Sequence, residues 1–306
     1  MNLNKLKKAY LNNKIPKALY IEEMFKIHRY LYEYSEFIKN TDIEKIEISG
    51  DSVIMTTKEK IKILCDKNDL RIVPIEILNF NSYEKAEAEM ALSLIENGFY
   101  IFDVGANFGW YSLLFSKYIK NAKIFAFEPI TKTFNYLKAN IKLNKATNIL
   151  PYNLGFSNKK GESVFYFRSA ESGSASLVDL KGDKKAQRVV CKMSRLDDFV
   201  RNKKLKIDFI KCDVEGAELL VFEGAEETII KNKPVIFTEM LRKWSAKFNY
   251  YPNEIISLLK SIGYECFTTK NGKLKKFVKM NDYTTETNFF FLHSIKHISN
   301  IKKLSK

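Results

Sequence analysis

The stretch FDVGANFGWYS, Phe102–Ser112, sets a short apolar strand against a glycine-bearing turn and the start of an apolar helix. Strand, glycine turn, helix is the geometry in which backbone approaches a ligand closely, because glycine puts no side chain in the way. In a dinucleotide site the helix N-terminus then faces a pyrophosphate, whose negative charge the helix dipole favours. Asp103, two residues ahead of Gly105, opposes such an anion at close range. Gly105 and Gly109 alone also fail the G-x-G-x-x-G spacing.

Both misfits disappear for a ligand with positive charge and no phosphate. S-adenosylmethionine is such a ligand: a sulfonium, an ammonium and a phosphate-free adenosine. The next apolar run ends KIFAFEP and places Glu128 25 residues after Asp103. An acid at the end of the second strand accepts bonds from both ribose hydroxyls. A nicotinamide cofactor wants an acid there too, so Asp103 is the residue that discriminates.

Outward from this core, residues 99 onward alternate short apolar strands (FYIFDV, KIFAFE, NILPYN, IDFIKCDV, PVIFTEM, GYECFTT, NFFFLH) with helices, including Trp110–Tyr118, Thr131–Asn144, Ala217–Ile230 and Pro252–Ser261. That rhythm predicts a mostly parallel sheet covered on both faces. A Gly- and Ser-rich segment, 155–192, interrupts it with a hairpin-like insertion, and SRLDDFV reads as a short helix capped by Ser194 with Asp197 as partner. Ahead of the alternation lie a helical stretch from Lys5 to Lys39 broken at Pro16, a β-meander (IEKIEISG, SVIMTT, KIKILCD), and a helix from Ser82 to Asn97. The chain divides into an extension over 1–80, a main domain over 81–295, and a basic tail over 296–306 expected to fray.

With 306 residues, 45% hydrophobic, the chain is long enough to bury a sizeable core. Its net charge is +15, carried by 44 lysines and only seven arginines. Nucleic-acid surfaces lean on arginine forks, so no nucleic-acid partner is expected. Abundant Lys, Asn, Ile, Phe and Tyr share AT-rich codons, and part of the charge is compositional bias. The functional remainder attracts an anionic substrate, such as a phosphate-bearing sugar, or an anionic membrane face. Cys65, Cys191, Cys212 and Cys266 lack metal-ligand spacing, and Cys212 reads as a small buried hydrophobe. Without an apolar secretory region or a run of about 20 apolar residues, the expectation is a soluble, cytoplasmic protein. The apolar face of the N-terminal helices is expected to pack on the main domain or on a second copy, as a homodimer.

DVGANFGWYS, FEP, LDD, IDFIKCDVEGAE and ETNFFFL, in this order over roughly residues 80–293, resemble the signature blocks of the FkbM family of S-adenosylmethionine-dependent methyltransferases. The resemblance implies an α/β class I methyltransferase fold, a Rossmann-like seven-stranded sheet with its last strand antiparallel, and O-methylation of sugars and related natural products. A nucleotide-linked or glycan-linked sugar of bacterial capsule or lipopolysaccharide follows as the expected substrate. Carried over, Asp103, Gly105, Asn107 and Gly109 line the methionine and ribose end, Glu128 holds the ribose, and Asn153 edges the adenine. Phe108 and Trp110 wall the pocket or belong to the core.

A sugar hydroxyl needs a base before it attacks a methyl group. The three histidines, His28, His293 and His297, sit outside the strand-end blocks, so a carboxylate is the better candidate. Asp213 and Glu215 in DVEGAE, then Glu239 at the end of PVIFTE, are the candidates for base or substrate clamp. Acids at a helix start also offset its dipole, which is the competing account of Glu215 and Glu218. Some related sugar methyltransferases use magnesium, so Asp213 and one of these acids are also read as a Mg2+ bridge. Two alternatives stand beside the enzyme reading: a nucleic-acid methyltransferase, disfavoured by DVEG in place of Asp/Asn-Pro-Pro-aromatic, and a catalytically inactive binding scaffold.

Overall fold

The computed structural model of the chain describes residues 2–182 and 186–306. Three helices, α1 (Leu3–Leu11), α2 (Lys17–His28) and α3 (Tyr30–Phe37), open it. Pro16 stands ahead of α2, where its missing N–H costs the helix nothing. An antiparallel meander follows, β1 (Ile43–Ser49), β2 (Ser52–Thr57) and β3 (Lys62–Cys65), then α4 (Val73–Phe80) and α5 (Lys85–Leu94). The meander is tied to the main body by Asn140 and Asn144, whose side-chain oxygens accept the Leu64 and Lys62 amides at 2.8 Å.

The alternating part begins with β4 (Tyr100–Val104), α6 (Trp110–Tyr118), β5 (Lys123–Phe127), α7 (Thr131–Leu143) and β6 (Ile149–Tyr152). A second small sheet is inserted next, with β7 (Gly155–Phe156), β8 (Gly161–Phe167) and β9 (Gln187–Ser194). The rhythm resumes with α8 (Leu196–Lys203), β10 (Phe209–Cys212), α9 (Glu218–Glu223), α10 (Glu226–Asn232) and β11 (Val235–Glu239). The chain closes with α11 (Arg242–Ser245), α12 (Asn253–Ser261), β12 (Tyr264–Lys270), β13 (Lys273–Phe277), β14 (Asn288–His293) and α13 (Ile298–Leu304).

The main sheet runs β13-β12-β14-β11-β10-β4-β5-β6. Strands β6, β5, β4, β10 and β11 are parallel, and β14 slots antiparallel between β11 and β12. The seven expected strands are all present, the last antiparallel, and β13 adds an eighth as a hairpin on β12. Phenylalanines pack both faces of the sheet: Phe115, Phe209, Phe237 and Phe290 on one, Phe102, Phe127, Phe222 and Phe289 on the other. This is why its strands read as unbroken apolar runs.

Several local expectations change. Ser194 does not cap α8, whose N-cap is Arg195 with no side-chain bond. Asp197 instead accepts the Thr228 amide at 2.8 Å, satisfying the start of α10. The helix expected over Ala217–Ile230 is two, because Gly224 packs its backbone on Ser157 so closely that a Cβ would lie 2.2 Å from the Ser157 carbonyl oxygen. The tail is not frayed: α13 follows a buried His297, and Ile301 and Leu304 lie against the core.

Candidate active site

The site forms where β4, β5, β10 and β11 end, the edge at which α/β sheets bind ligands. Gly105 leaves β4 with φ +80°, and a Cβ there would sit 1.9 Å from the Asp213 carbonyl oxygen. Only glycine lets the turn after β4 press against the loop after β10. Gly109, at φ +91°, is the N-cap of α6, and Asn107 takes the left-handed conformation with its own Oδ1 accepting the Phe108 amide.

Glu128 is buried under this turn. Its carboxylate accepts the Asn107 amide at 3.1 Å and the Ile130 amide at 2.9 Å. Burial pushes it up to about 7, against the pull of those two amides. Each oxygen keeps a lone pair for a further donor such as a ribose hydroxyl. Glu128, Gly105, Asn107, Leu154 and Phe156 line a narrow slot on this side.

Beside the slot lies a larger cavity of about 300 Å³, lined by Asp103, Asp213, Glu215 and Glu239 together with Glu84 and Lys211. Asp213, Glu215, Gly105, Asn107 and Gly173 belong to both, so the slot and the cavity meet at the loop after β10. One oxygen each of Asp213, Glu215 and Glu239 lies within 4.8 Å of the others. The three sequence-derived acid candidates thus converge. Burial, then the charge of Asp213, raises Glu215 and Glu239 well above the usual carboxylate range. Glu215 holds its place in the left-handed region, φ +54°, where its carbonyl oxygen accepts the Ser176 hydroxyl at 3.0 Å.

Three cations line this cavity, Arg71, Lys181 and Lys211, and Lys211, on the central strand β10, is the buried one. Its ammonium donates to Asp213 Oδ2 at 3.0 Å, stands 4.0 Å from Asp103 Oδ1 and lies 5.0 Å from the Tyr111 ring centroid. Burial disfavours its charge, but Asp213, Asp103 and Glu84 outweigh that and raise its pKa. Asp103 accepts the Ser112 hydroxyl at 2.6 Å, and its burial outweighs the lysine's pull, so its pKa is raised from the ordinary aspartate value. Glu84, at the start of α5, accepts from Tyr111 Oη at 2.7 Å and Asn288 Nδ2 at 3.0 Å. Sequence reasoning missed Lys211 and Glu84. A lysine inside IDFIKCDV, in a buried strand, was the available signal for the first.

Two segments, residues 69–71 and 171–177, contribute Arg71, Glu171, Gly173 and Ser174 to the cavity lining. They are stitched together by the Leu70 amide on the Ala170 carbonyl at 2.9 Å and the Ser172 amide on Asp69 Oδ2 at 3.1 Å.

Over this geometry, the Methyltransferase FkbM domain family matches residues 103–266, just over half of the chain. The chain belongs to the FkbM methyltransferase family. Among curated relatives it is 30% identical over 157 residues to "Methyltransferase sdnD" of Sordaria araneosa, covering 42% of this chain and 61% of that one. It is also 30% identical over 143 residues to a tRNA (guanine(37)-N(1))-methyltransferase of Plasmodium vivax (strain Salvador I), covering 43% of this chain and 20% of that one. The chain thus spans less than two thirds of the length of these relatives. Among solved structures, methyltransferase FkbM from Methylobacillus flagellatus KT aligns with 87% of this chain and 60% of its own at 15% identity, TM-score 0.43.

Within the FkbM signature, Asp103, Gly105, Asn107 and Glu128 stand at the slot and cavity. Gly109 acts behind the wall as the cap of α6. Asn153 departs from its expected place. Its amide donates to the Glu128 and Pro129 carbonyls at 2.9 Å, and its oxygen accepts from Thr131, so it braces the turn after β5 while Leu154 lines the slot. Phe108, packed on Tyr136, and Trp110 are both buried core residues that also reach the cavity wall. His293 and His297 are buried at the far end of the sheet, with His297 Nδ1 accepting the His293 amide at 2.9 Å.

Proposed function

We propose that this chain is an S-adenosylmethionine-dependent O-methyltransferase acting on a sugar hydroxyl, of the kind built into bacterial capsule or lipopolysaccharide. The observation that carries the reading is the junction of slot and cavity at Gly105, Asp213 and Glu215. Glu128 in the slot would hold the ribose hydroxyls, and Asp103 and the acid trio would face the cationic methionine end. The acceptor hydroxyl enters the cavity and meets the methyl group at the junction. Glu215 or Glu239 takes the hydroxyl proton: burial, then the charge of Asp213, raises the proton affinity of each well above that of an ordinary carboxylate. Transfer is an in-line displacement, so positioning supplies much of the rate. The cavity lining carries Arg71, Lys181 and Lys211 beside its acids, so glycan-linked and nucleotide-linked acceptors both belong in the test.

The convergence of three carboxylate oxygens favours a second reading, in which the trio holds a magnesium ion. The all-oxygen donor set suits a hard cation. A chelator that abolishes turnover, with recovery on adding magnesium, decides for it. The main test follows methyl-labelled S-adenosylmethionine into a panel of glycan-linked and nucleotide-linked sugars. In Glu215→Gln, Glu239→Gln and Asp213→Asn, at least one turnover falls by about 10²–10⁴-fold while cofactor affinity holds. Normal turnover in all three removes the trio as base.

A further inference from the structure

Helices α1, α2 and α3 are almost entirely uncovered: Leu6 is their one buried residue. Between Leu3 and Phe37, ten large apolar or aromatic side chains are exposed, among them Leu11 at 65%, Phe25 at 59% and Tyr32 at 71%. A surface that leaves so many such groups in water marks an interaction face.

Charge identifies the partner. The four acids of residues 2–40 are each held by a neighbouring cation: Glu22 and Glu23 by Lys26, Glu33 by Arg29, Glu36 by Lys39, at 2.7–3.0 Å. Lys5, Lys7, Lys8, Lys14 and Lys17 are exposed and have no acidic partner among the described residues. What faces outward is therefore lysine charge interleaved with Leu, Ile, Phe and Tyr. We propose that α1–α3 dock this chain on an anionic lipid surface, lysines at the headgroups and apolar and aromatic side chains at the acyl boundary. A second copy fits less well, because a two-fold dimer sets the same lysine-rich face against itself. RNA also fits less well: the one arginine here is tied to Glu33, and the exposed aliphatic Leu3, Leu11, Leu19, Ile21 and Leu31 suit acyl chains rather than bases. The proposal is independent of the acceptor's identity.

The test is flotation of the full chain with phosphatidylcholine vesicles, with and without phosphatidylglycerol, beside sedimentation of the lipid-free chain. The chain floats only with the anionic vesicles and is released by salt. Lys5→Gln/Lys7→Gln/Lys8→Gln binds them about 10²-fold more weakly, taking roughly fivefold per lysine. Leu19→Ser/Phe25→Ser, which keeps the charge, also weakens binding. Substitutions at these exposed positions leave the thermal melt in place. Equal flotation with neutral vesicles, or none with either, overturns the proposal. So does a stable dimer that both variants dissolve, which assigns the face to a second copy, or salt-sensitive binding to RNA without flotation.

Discussion

Replacing Lys211 by Met tests the electrostatic frame of the site. The thioether chain fills much of the lysine stem's volume, so the change removes charge with little cavity. Lys211 is 8% exposed in its side chain and Asp103 1%, with 4.0 Å between them, while Asp213 at 3.0 Å is 29% exposed. At an effective dielectric near 20, a unit charge at those distances contributes about 4–6 kcal/mol. Asp213 can fall back on solvent, whereas buried Asp103 is left with Ser112. The lower part of the range for breaking a buried pair, about 3–4 kcal/mol, is therefore expected at pH 8. The loss must depend on pH. Burial already raises Asp103 from its ordinary value, so it binds its proton more tightly folded than unfolded. The folded state is thus favoured while that proton is bound, and stability falls as pH rises from about 3.9 through the folded value. Without Lys211 that window extends upward, so the penalty of the variant is small near pH 5 and full at pH 8. Urea unfolding at the two pH values measures it. A loss under about 1 kcal/mol at pH 8, or an equal loss at both, refutes the reasoning.

Two further changes probe the cofactor side and the loop after β10. Glu128, pushed up to about 7 by burial, sheds its proton as pH climbs from 6 to 8, so calorimetric affinity for S-adenosylmethionine should strengthen over that interval. Glu128→Gln should remove that slope and cost about 1.5–3 kcal/mol at pH 8, and a variant that keeps the parent's pH dependence contradicts the assignment. Glu218 accepts the Val214 and Gly216 amides at 3.1 and 3.0 Å, so Glu218→Ala should lose about 1–3 kcal/mol per stranded amide in a thermal or urea melt. An unchanged melt would show that those amides find other partners.

The parts legible in the sequence were those whose cause is local. Gly105, Gly109 and the apolar strand ahead of them announce a close backbone approach within a dozen residues, and Asp103 and Glu128 mark the strand ends by position alone. Asp213, Glu215 and Glu239 were picked out because they end strands, and strand ends share one edge. What escaped depends on contacts distant in the chain. Lys211 draws its meaning from Asp103 on another strand, and Glu84 from Tyr111 and Asn288. The break between α9 and α10 exists because Ser157 presses on Gly224. The run VPIEILNF became α4 with no apolar periodicity to announce it, only Pro74 at the first turn. Asn153 shows the opposite hazard. An amide at the right strand end reads as a ligand contact, yet the carbonyls of Glu128 and Pro129 claim both its protons.

The two segments that help line the cavity, residues 69–71 and 171–177, come from the region after the N-terminal meander and from the inserted small sheet, and Ser176 fastens the second to Glu215. Parting one from the other breaks the bonds at Leu70 and Ser172, so they are expected to move as a unit rather than as separate loops. Asp69→Ala, which removes the acceptor of the Ser172 amide, should then change the on- and off-rates of S-adenosylmethionine together in stopped-flow binding, and unchanged rates would show that these segments do not control access.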